Sequence, residues 1–441
     1  MQRLLNNELV QWKNRDVRMP ILLDGARQVG KTYLIEVIFG HTHFRKIIKL
    51  DFLAEPGLCE IFSESKNTSH LLRKIQLAKG ADFDPEQDLL FFDEIGECQD
   101  AVDSLKFFQE QRPDIYLCAT GSNIGLLNRF PVGKVQILHL YPMTFEEFVL
   151  AQNEPLLIDM FRNAERNDVI HKRLWELLLD YYYVGGMPKA VEAWVTGDNT
   201  QIVRLTTQIR NIHLDLITGY IRDFGKYARY PSESLQIERV FNNIPMQLMK
   251  EMNGSVKRFQ FSHIIPRKKG YQELSSAIGF LLKIKLASQN FIIEGAARSP
   301  LKAQIKESRF KLFFFDVGIL HTMLEITYKE IVQQKFEFKG FIAENFVQNE
   351  ALACGFSHTY SWVSGRNAEL EFIFKRDDGE IIPIEVKSGS RKKAKSLRYY
   401  IDTYTPKTAY KLTAVIGGFR DQTIQTLPLY YAKSVLQQFA L

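Results

Sequence analysis

Near the amino end of the 441-residue chain, Gly25-Ala26-Arg27-Gln28-Val29-Gly30-Lys31-Thr32 fit the pattern G-x-x-x-x-G-K-S/T. An apolar run, Pro20-Ile21-Leu22-Leu23, precedes them, and a helical stretch, Tyr33-Leu34-Ile35-Glu36-Val37, follows. A strand feeding a glycine turn that opens a helix is the setting in which this pattern cradles phosphate. The glycines let successive backbone N–H groups turn inward around a β-phosphate, helped by the positive end of the helix. Gly25, Ala26, Arg27, Gln28, Val29, Gly30, Lys31 and Thr32 are therefore the expected residues for binding a nucleoside triphosphate. Lys31 is expected to reach the β- and γ-phosphates, and the Thr32 hydroxyl to take one place on Mg²⁺.

Such a loop needs an acid for the metal and usually a second to activate water. Asp88-Leu89-Leu90-Phe91-Phe92-Asp93-Glu94 supplies both. Its continuous apolar run reads as a buried strand of a parallel sheet. Asp93 at the carboxyl end is placed to hold Mg²⁺, and Glu94 to polarise the attacking water. Ligands of an open α/β sheet collect at the carboxyl ends of its strands, so Asp93 and Lys31 are expected to meet there. A third strand, Ile115-Tyr116-Leu117-Cys118-Ala119, ends in Thr120-Gly121-Ser122-Asn123. A polar side chain at that end, Ser122 or Asn123, would lie beside the γ-phosphate between the two other strands. This resembles the sensor-1 position of AAA+ ATPases, and it is equally ordinary turn chemistry. Asp223-Phe224-Gly225 spells a kinase tripeptide but lacks the rest of a kinase, and reads as a loop after a helix. Arg222 and Arg229 are candidates for an arginine finger only in the sense that any arginine is.

Length predicts two to four domains. With 45% hydrophobic and 24% charged residues, 32 Phe and 18 Tyr, the composition is that of a soluble globular protein. The formal net charge of +6 permits nucleic-acid contact without demanding it. Cys59, Cys98, Cys118 and Cys354 are scattered, which suits a reducing cytoplasm. Neither a signal peptide nor an apolar stretch of membrane-spanning length is visible, so a cytoplasmic protein with no membrane partner is expected.

Residues 1–150 alternate strand runs with helical segments and predict a parallel α/β core. Thr144 with Glu147 three residues on reads as a capping box. Residues 151–231 read as a helical subdomain, similar to the lid of AAA+ modules, broken at Gly185-Gly186-Met187-Pro188. Residues 232–325 read as winged-helix-like, with helices around 237–252 and 271–282 and a strand pair at 287–294 and 309–315. In a DNA-reading version Arg267, Lys268 and Lys269 would touch phosphates. The helix after them, however, is apolar on one face and suits packing or protein docking at least as well.

The last segment, 326–441, carries a second constellation. Gly340-Phe341-Ile342-Ala343-Glu344-Asn345-Phe346-Val347 opens a helix, Ala368-Glu369-Leu370-Glu371-Phe372 a strand, and Asp377-Asp378-Gly379 a hairpin turn into Ile384-Glu385-Val386-Lys387. Period-two alternation puts Glu369 with Glu371 on one strand face, and Glu385 with Lys387 on the next. The pattern resembles the PD-(D/E)xK nuclease fold. That resemblance implies Glu371, Glu385 and the helix acid Glu344 as Mg²⁺ ligands, and Lys387 as the lysine that orients the attacking water. Glu371 stands where the fold usually has Asp. The basic run Arg391-Lys392-Lys393-Ala394-Lys395 would then face a phosphate backbone.

The order of these segments is similar to a prokaryotic family of AAA+-like ATPases with a C-terminal domain of unknown function built on a restriction-endonuclease-like core. The resemblance implies an α/β protein: a P-loop NTPase sheet with helical lid, a winged-helix-like segment and a nuclease-like α/β domain. It implies ATP and Mg²⁺, and control of the C-terminal module by nucleotide state, in nucleic-acid processing or defence. A non-cleaving, nucleotide-gated binding switch is the alternative. Nucleic acid, a protein partner and further copies of the chain are the partners left open.

Overall fold

A computed structural model of the chain describes residues 1–127, 129–228, 230–250, 258–333, 339–365, 368–389, 394–417, 420–421 and 423–440. Arg229, residues 252–254 and Arg391-Lys392-Lys393 lie outside them. Two compact units emerge, Met1–Tyr141 with Lys283–Lys285, and Pro142–Leu282 with Leu286–Leu441.

The first unit is built on five strands, β1 (Ile21–Asp24), β2 (Lys46–Asp51), β3 (Asp88–Asp93), β4 (Tyr116–Gly121) and β5 (Gln136–His139). They pair in the order β2-β3-β4-β1-β5, all parallel. Burial on both faces explains why β1 and β3 are continuous apolar runs. Leu50, Phe52, Phe62, Leu90, Phe92 and Phe108 form part of one core, in which Phe92 meets Phe52, Phe62 and Phe108 edge to face. The strand order puts β4 between β1 and β3. The carboxyl ends of all three therefore lie side by side.

The second unit begins with the helix Phe145–Ala151, where Thr144 and Glu147 form the expected capping box. The helix Asp168–Val184 stops at Gly185, whose φ of 71° a residue with a Cβ rarely adopts. Around this break the chain is knotted by hydrogen bonds. Met143 N–H donates to the Gly186 carbonyl (2.7 Å), Gly186 N–H to Asp316 Oδ2 (2.7 Å) and Ile319 N–H to Asp316 Oδ1 (2.9 Å). Asp316 thereby caps the helix Val317–Met323 and holds the glycine pair. The tripeptide at 223–225, read as a loop, is instead helical, inside Ile202–Tyr227.

Eight strands form the second sheet: β6 (Ala287–Glu294), β7 (Phe310–Phe314), β8 (Thr359–Val363), β9 (Glu369–Lys375), β10 (Ile381–Val386), β11 (Ala409–Thr413), β12 (Arg420–Asp421) and β13 (Ile424–Pro428). Their order is β12-β13-β11-β10-β9-β8-β6-β7. β6 and β7 pair antiparallel, as expected of a hairpin, yet β6 also pairs in parallel with β8. The pair read as a wing is therefore continuous with the C-terminal sheet rather than free-standing. Helix Tyr271–Lys283 buries Leu274, Ala277, Ile278 and Leu281, the apolar face that suited packing. Lys268 donates to Gln236 (2.9 Å), and the backbone N–H groups of Lys269 and Gly270 donate to Glu273 (2.7 and 2.9 Å). Trp362, Leu370, Ile373, Leu397 and Tyr400 fill one face of the sheet against the helix Lys395–Tyr404. Among the described residues no helix is long and apolar enough to cross a membrane.

A Cβ at Gly186 would lie 2.2 Å from the Met143 carbonyl oxygen, whereas one at Gly279 meets nothing within 4 Å. Gly186→Ala is expected to cost about 3 kcal/mol or more. Gly279→Ala, inside a helix, should gain about 0.5–1 kcal/mol. Thermal and urea unfolding of the two variants measure the contrast.

Candidate functional site

The phosphate loop connects β1 to the helical stretch that begins at Lys31–Tyr33. Gln28 (φ 65°) and Gly30 (φ 92°) flank Val29 in left-handed backbone, which curls successive N–H groups into a concave nest. A Cβ on Gly25 would lie 2.2 Å from the Leu140 carbonyl, so only glycine lets the loop pass this close to the chain leaving β5. The Lys31 side chain is buried and donates to the carbonyls of Gly25 (3.0 Å) and Ala26 (2.9 Å). Burial lowers its pKa, against the pull of Glu94, Asp24 and Asp93. A nearly dehydrated ammonium beside a nest of N–H groups is suited to a polyanion, whose charge offsets the desolvation.

The acidic end of β3 faces the loop. Asp93 Oδ1 accepts hydrogen bonds from the hydroxyls of Thr32 (2.9 Å) and Thr120, and Oδ2 pairs with the Lys49 ammonium (3.0 Å). Lys49 stands on β2 and is shared with Glu36 (3.0 Å). Asp93 meets the loop through Thr32, while Lys31 is held by the loop's own carbonyls. Glu94 follows in left-handed backbone (φ 48°), a conformation that costs a non-glycine residue about 1–3 kcal/mol and gathers at functional sites. Its N–H donates to Thr120 Oγ1 (3.3 Å) and its carboxylate accepts a long hydrogen bond from Ser122 Oγ (3.4 Å). Burial raises the Glu94 pKa, opposed by Lys31 and reinforced by Asp93. Arg27 Nε donates to Ser122 Oγ (3.4 Å). Of the two residues the sequence could not separate, Ser122 is buried and touches Glu94, while Asn123 is half-buried just before the short helix Ile124–Leu126. Thr120 and Lys49 were not anticipated. Thr120 lay in the strand-end motif, and Lys49 in a strand whose period-two alternation was its only signal.

The C-terminal acids also gather. Lys387 pairs with Glu371 (2.9 Å) and Glu385 (3.1 Å), and Val386 N–H donates to Glu371 Oε2 (3.0 Å). Burial opposes the charge on Lys387, but Glu371 and Glu385 outweigh it and raise its pKa. Glu385 is almost wholly buried, which raises its pKa against the pull of Lys387. Glu344 is engaged by Lys311 of β7 (2.8 Å), a buried lysine that sequence reasoning did not single out. Glu369 interacts electrostatically with both pairs. Burial pushes its pKa up to about 7, Lys311 opposes this, and Glu371 and Glu344 add to it. Lys387 thus bridges Glu371 and Glu385 while Lys311 holds Glu344, and among the described residues no group of three or more His, Cys, Asp or Glu is disposed to hold a metal ion. Arg222 is exposed on its helix.

Residues 17–149 match the profile of an AAA domain. Residues 176–330 and 339–431 match two domains of unknown function, DUF8612 and DUF4143. No curated protein matches the chain. Among solved structures, PCH-2 of C. elegans is similar at 12% identity and TM-score 0.29, over 48% of this chain and 65% of that one. The Drosophila ORC bound to DNA is similar at 11% identity and TM-score 0.28, over 73% of this chain and 85% of that one. The chain thus spans 65% of the length of the PCH-2 chain. Residues 17–149, the stretch similar to an AAA domain, carry the parallel sheet and the glycine-rich loop.

Lys387→Ala would leave Glu371 and Glu385 facing each other with little water to shield them. Loss of one partner of a buried ion pair typically costs about 3–5 kcal/mol. Urea unfolding at neutral pH is expected to show that loss. It should shrink as the pH falls, because protonating Glu385, whose pKa burial raises, removes the repulsion, and the double variant Lys387→Met/Glu385→Gln should regain most of it.

Proposed function

We propose that the chain binds and hydrolyses ATP, and that its nucleotide state governs the C-terminal module. The observation that carries the first part is the meeting of the loop hydroxyl of Thr32 with the Asp93 carboxylate, reinforced by Thr120. The triphosphate lies along the nest formed by residues 25–32, with Lys31 exchanging its carbonyl contacts for phosphate oxygens. Thr32 and Asp93 fit Mg²⁺, which when bound neutralises charge on the phosphates. Glu94 takes the proton of the attacking water, and its raised pKa suits a general base. Ser122 orients that carboxylate, and Thr120 holds the Glu94 backbone.

A second reading concerns the acids near the carboxyl end. Glu371, Glu385 and Lys387 lie together as the PD-(D/E)xK resemblance requires, which supports a phosphodiester-cleaving module under ATP control. The pairing of Glu344, Glu371 and Glu385 with lysines supports equally a module that binds nucleic acid or protein without cutting it. Cleavage of DNA or RNA with Mg²⁺ or Mn²⁺, lost in Glu385→Ala, would favour the first. Intact substrates with and without ATP would favour the second.

Glu94→Gln is expected to lower ATP turnover by about a hundredfold or more while leaving ATP binding intact. Lys31→Ala should abolish binding itself. The acid limb of the wild-type rate profile should lie higher than an unperturbed glutamate would set it, since turnover needs Glu94 ionised and burial raises its pKa. Phosphate-release assays and calorimetry measure these outcomes, and full turnover by Glu94→Gln would remove Glu94 as the base.

A further inference from the structure

Arg3 stands outside the glycine-rich motif and before the stretch that matches the AAA domain. Its side chain is nevertheless 7% exposed and reaches into the phosphate loop. Nη1 donates to the Val29 carbonyl (2.7 Å), and Nη2 donates to the Tyr141 carbonyl (2.7 Å). Tyr141 follows Leu140, the residue against which Gly25 is packed. One guanidinium thus fastens the middle of the loop to the chain leaving β5.

The contact has a directional consequence. A trans peptide is planar, with its C=O and N–H pointing to opposite sides. With the Val29 carbonyl drawn to Arg3, the N–H of Gly30 points the other way, into the nest flanked by the positive φ angles of Gln28 and Gly30. Were this peptide flipped, a carbonyl oxygen would face the phosphates and a donor would be lost. Charge-assisted hydrogen bonds from a planar fork are the strong kind, and this one grips two carbonyls at once.

We propose that Arg3 is a positioning residue for nucleotide binding, holding the Val29 carbonyl so that the Gly30 N–H is presented to phosphate. The inference rests on the ATP reading above and adds to it a residue outside the motif. The test uses the full chain with MgADP and MgATP in calorimetry, together with steady-state hydrolysis. Arg3→Met is expected to weaken both nucleotides about tenfold, equivalent to about 1.4 kcal/mol, with kcat at saturating ATP nearly unchanged. Arg3→Lys, which keeps the charge on a single nitrogen but loses the planar fork that spans the two carbonyls, should fall in between, about threefold weaker. Should Arg3→Met fail to fold, Arg3→Lys decides alone. Unaltered affinity in a folded variant, or a loss in kcat with affinity preserved, overturns the inference while leaving the ATP reading standing. If the wild-type chain binds neither nucleotide, both fall together.

Discussion

Both oxygens of Asp93 are committed. One accepts the hydroxyls of Thr32 and Thr120, and the other meets the ammonium of Lys49. Those three partners come from the loop after β1, the end of β4 and the middle of β2. The carboxylate therefore ties together the carboxyl-terminal edge of the first sheet. The strand order β2-β3-β4-β1-β5 makes this possible, because β4 separates β3 from β1 and brings a polar side chain into the gap. Sheet topology thus precedes chemistry here: the nest, the buried Lys31 and the left-handed Glu94 are useful only because the strands end side by side.

How much was legible in the sequence depended on how local each signal was. The phosphate loop and the acid pair could be read because a strand, a turn and a charged residue follow one another within a few positions. Thr144 with Glu147 was readable for the same reason. Ser122 and Asn123 were inseparable because the choice depends on which side chain turns toward Glu94, a matter of tertiary packing. Arg3 left no local mark and Lys49 only the alternation of its strand, since Val29, Tyr141 and Asp93, which they meet, lie well along the chain. The hairpin β6–β7 was found, but its membership of the larger sheet depends on a parallel pairing with β8 across a long connection. No short-range pattern encodes such a pairing. The tripeptide at 223–225 misled for the opposite reason: three residues suggest a loop, while the helix around them is set by its buried face.

In the second unit, charge balance works alongside the apolar core around Trp362 and Leu370. Glu344, Glu371 and Glu385 are held by Lys311 and Lys387, and Lys311 comes from the very hairpin that the sequence assigned to a separate segment. Residues 232–325 and the C-terminal strands thus share a sheet and also an electrostatic cluster. Asp316 plays a comparable part nearby, binding the Gly185–Gly186 break to the helix that follows β7. Buried acids are costly alone and tolerable in company, which is why each has a cation or backbone N–H beside it.

The most direct measurement is a calorimetric titration of ATP into the folded chain, with Mg²⁺ and with EDTA in its place. The account predicts one triphosphate bound per chain, and tighter binding when Mg²⁺ is present. An absence of binding heat at several temperatures, from protein shown to be folded, would contradict it.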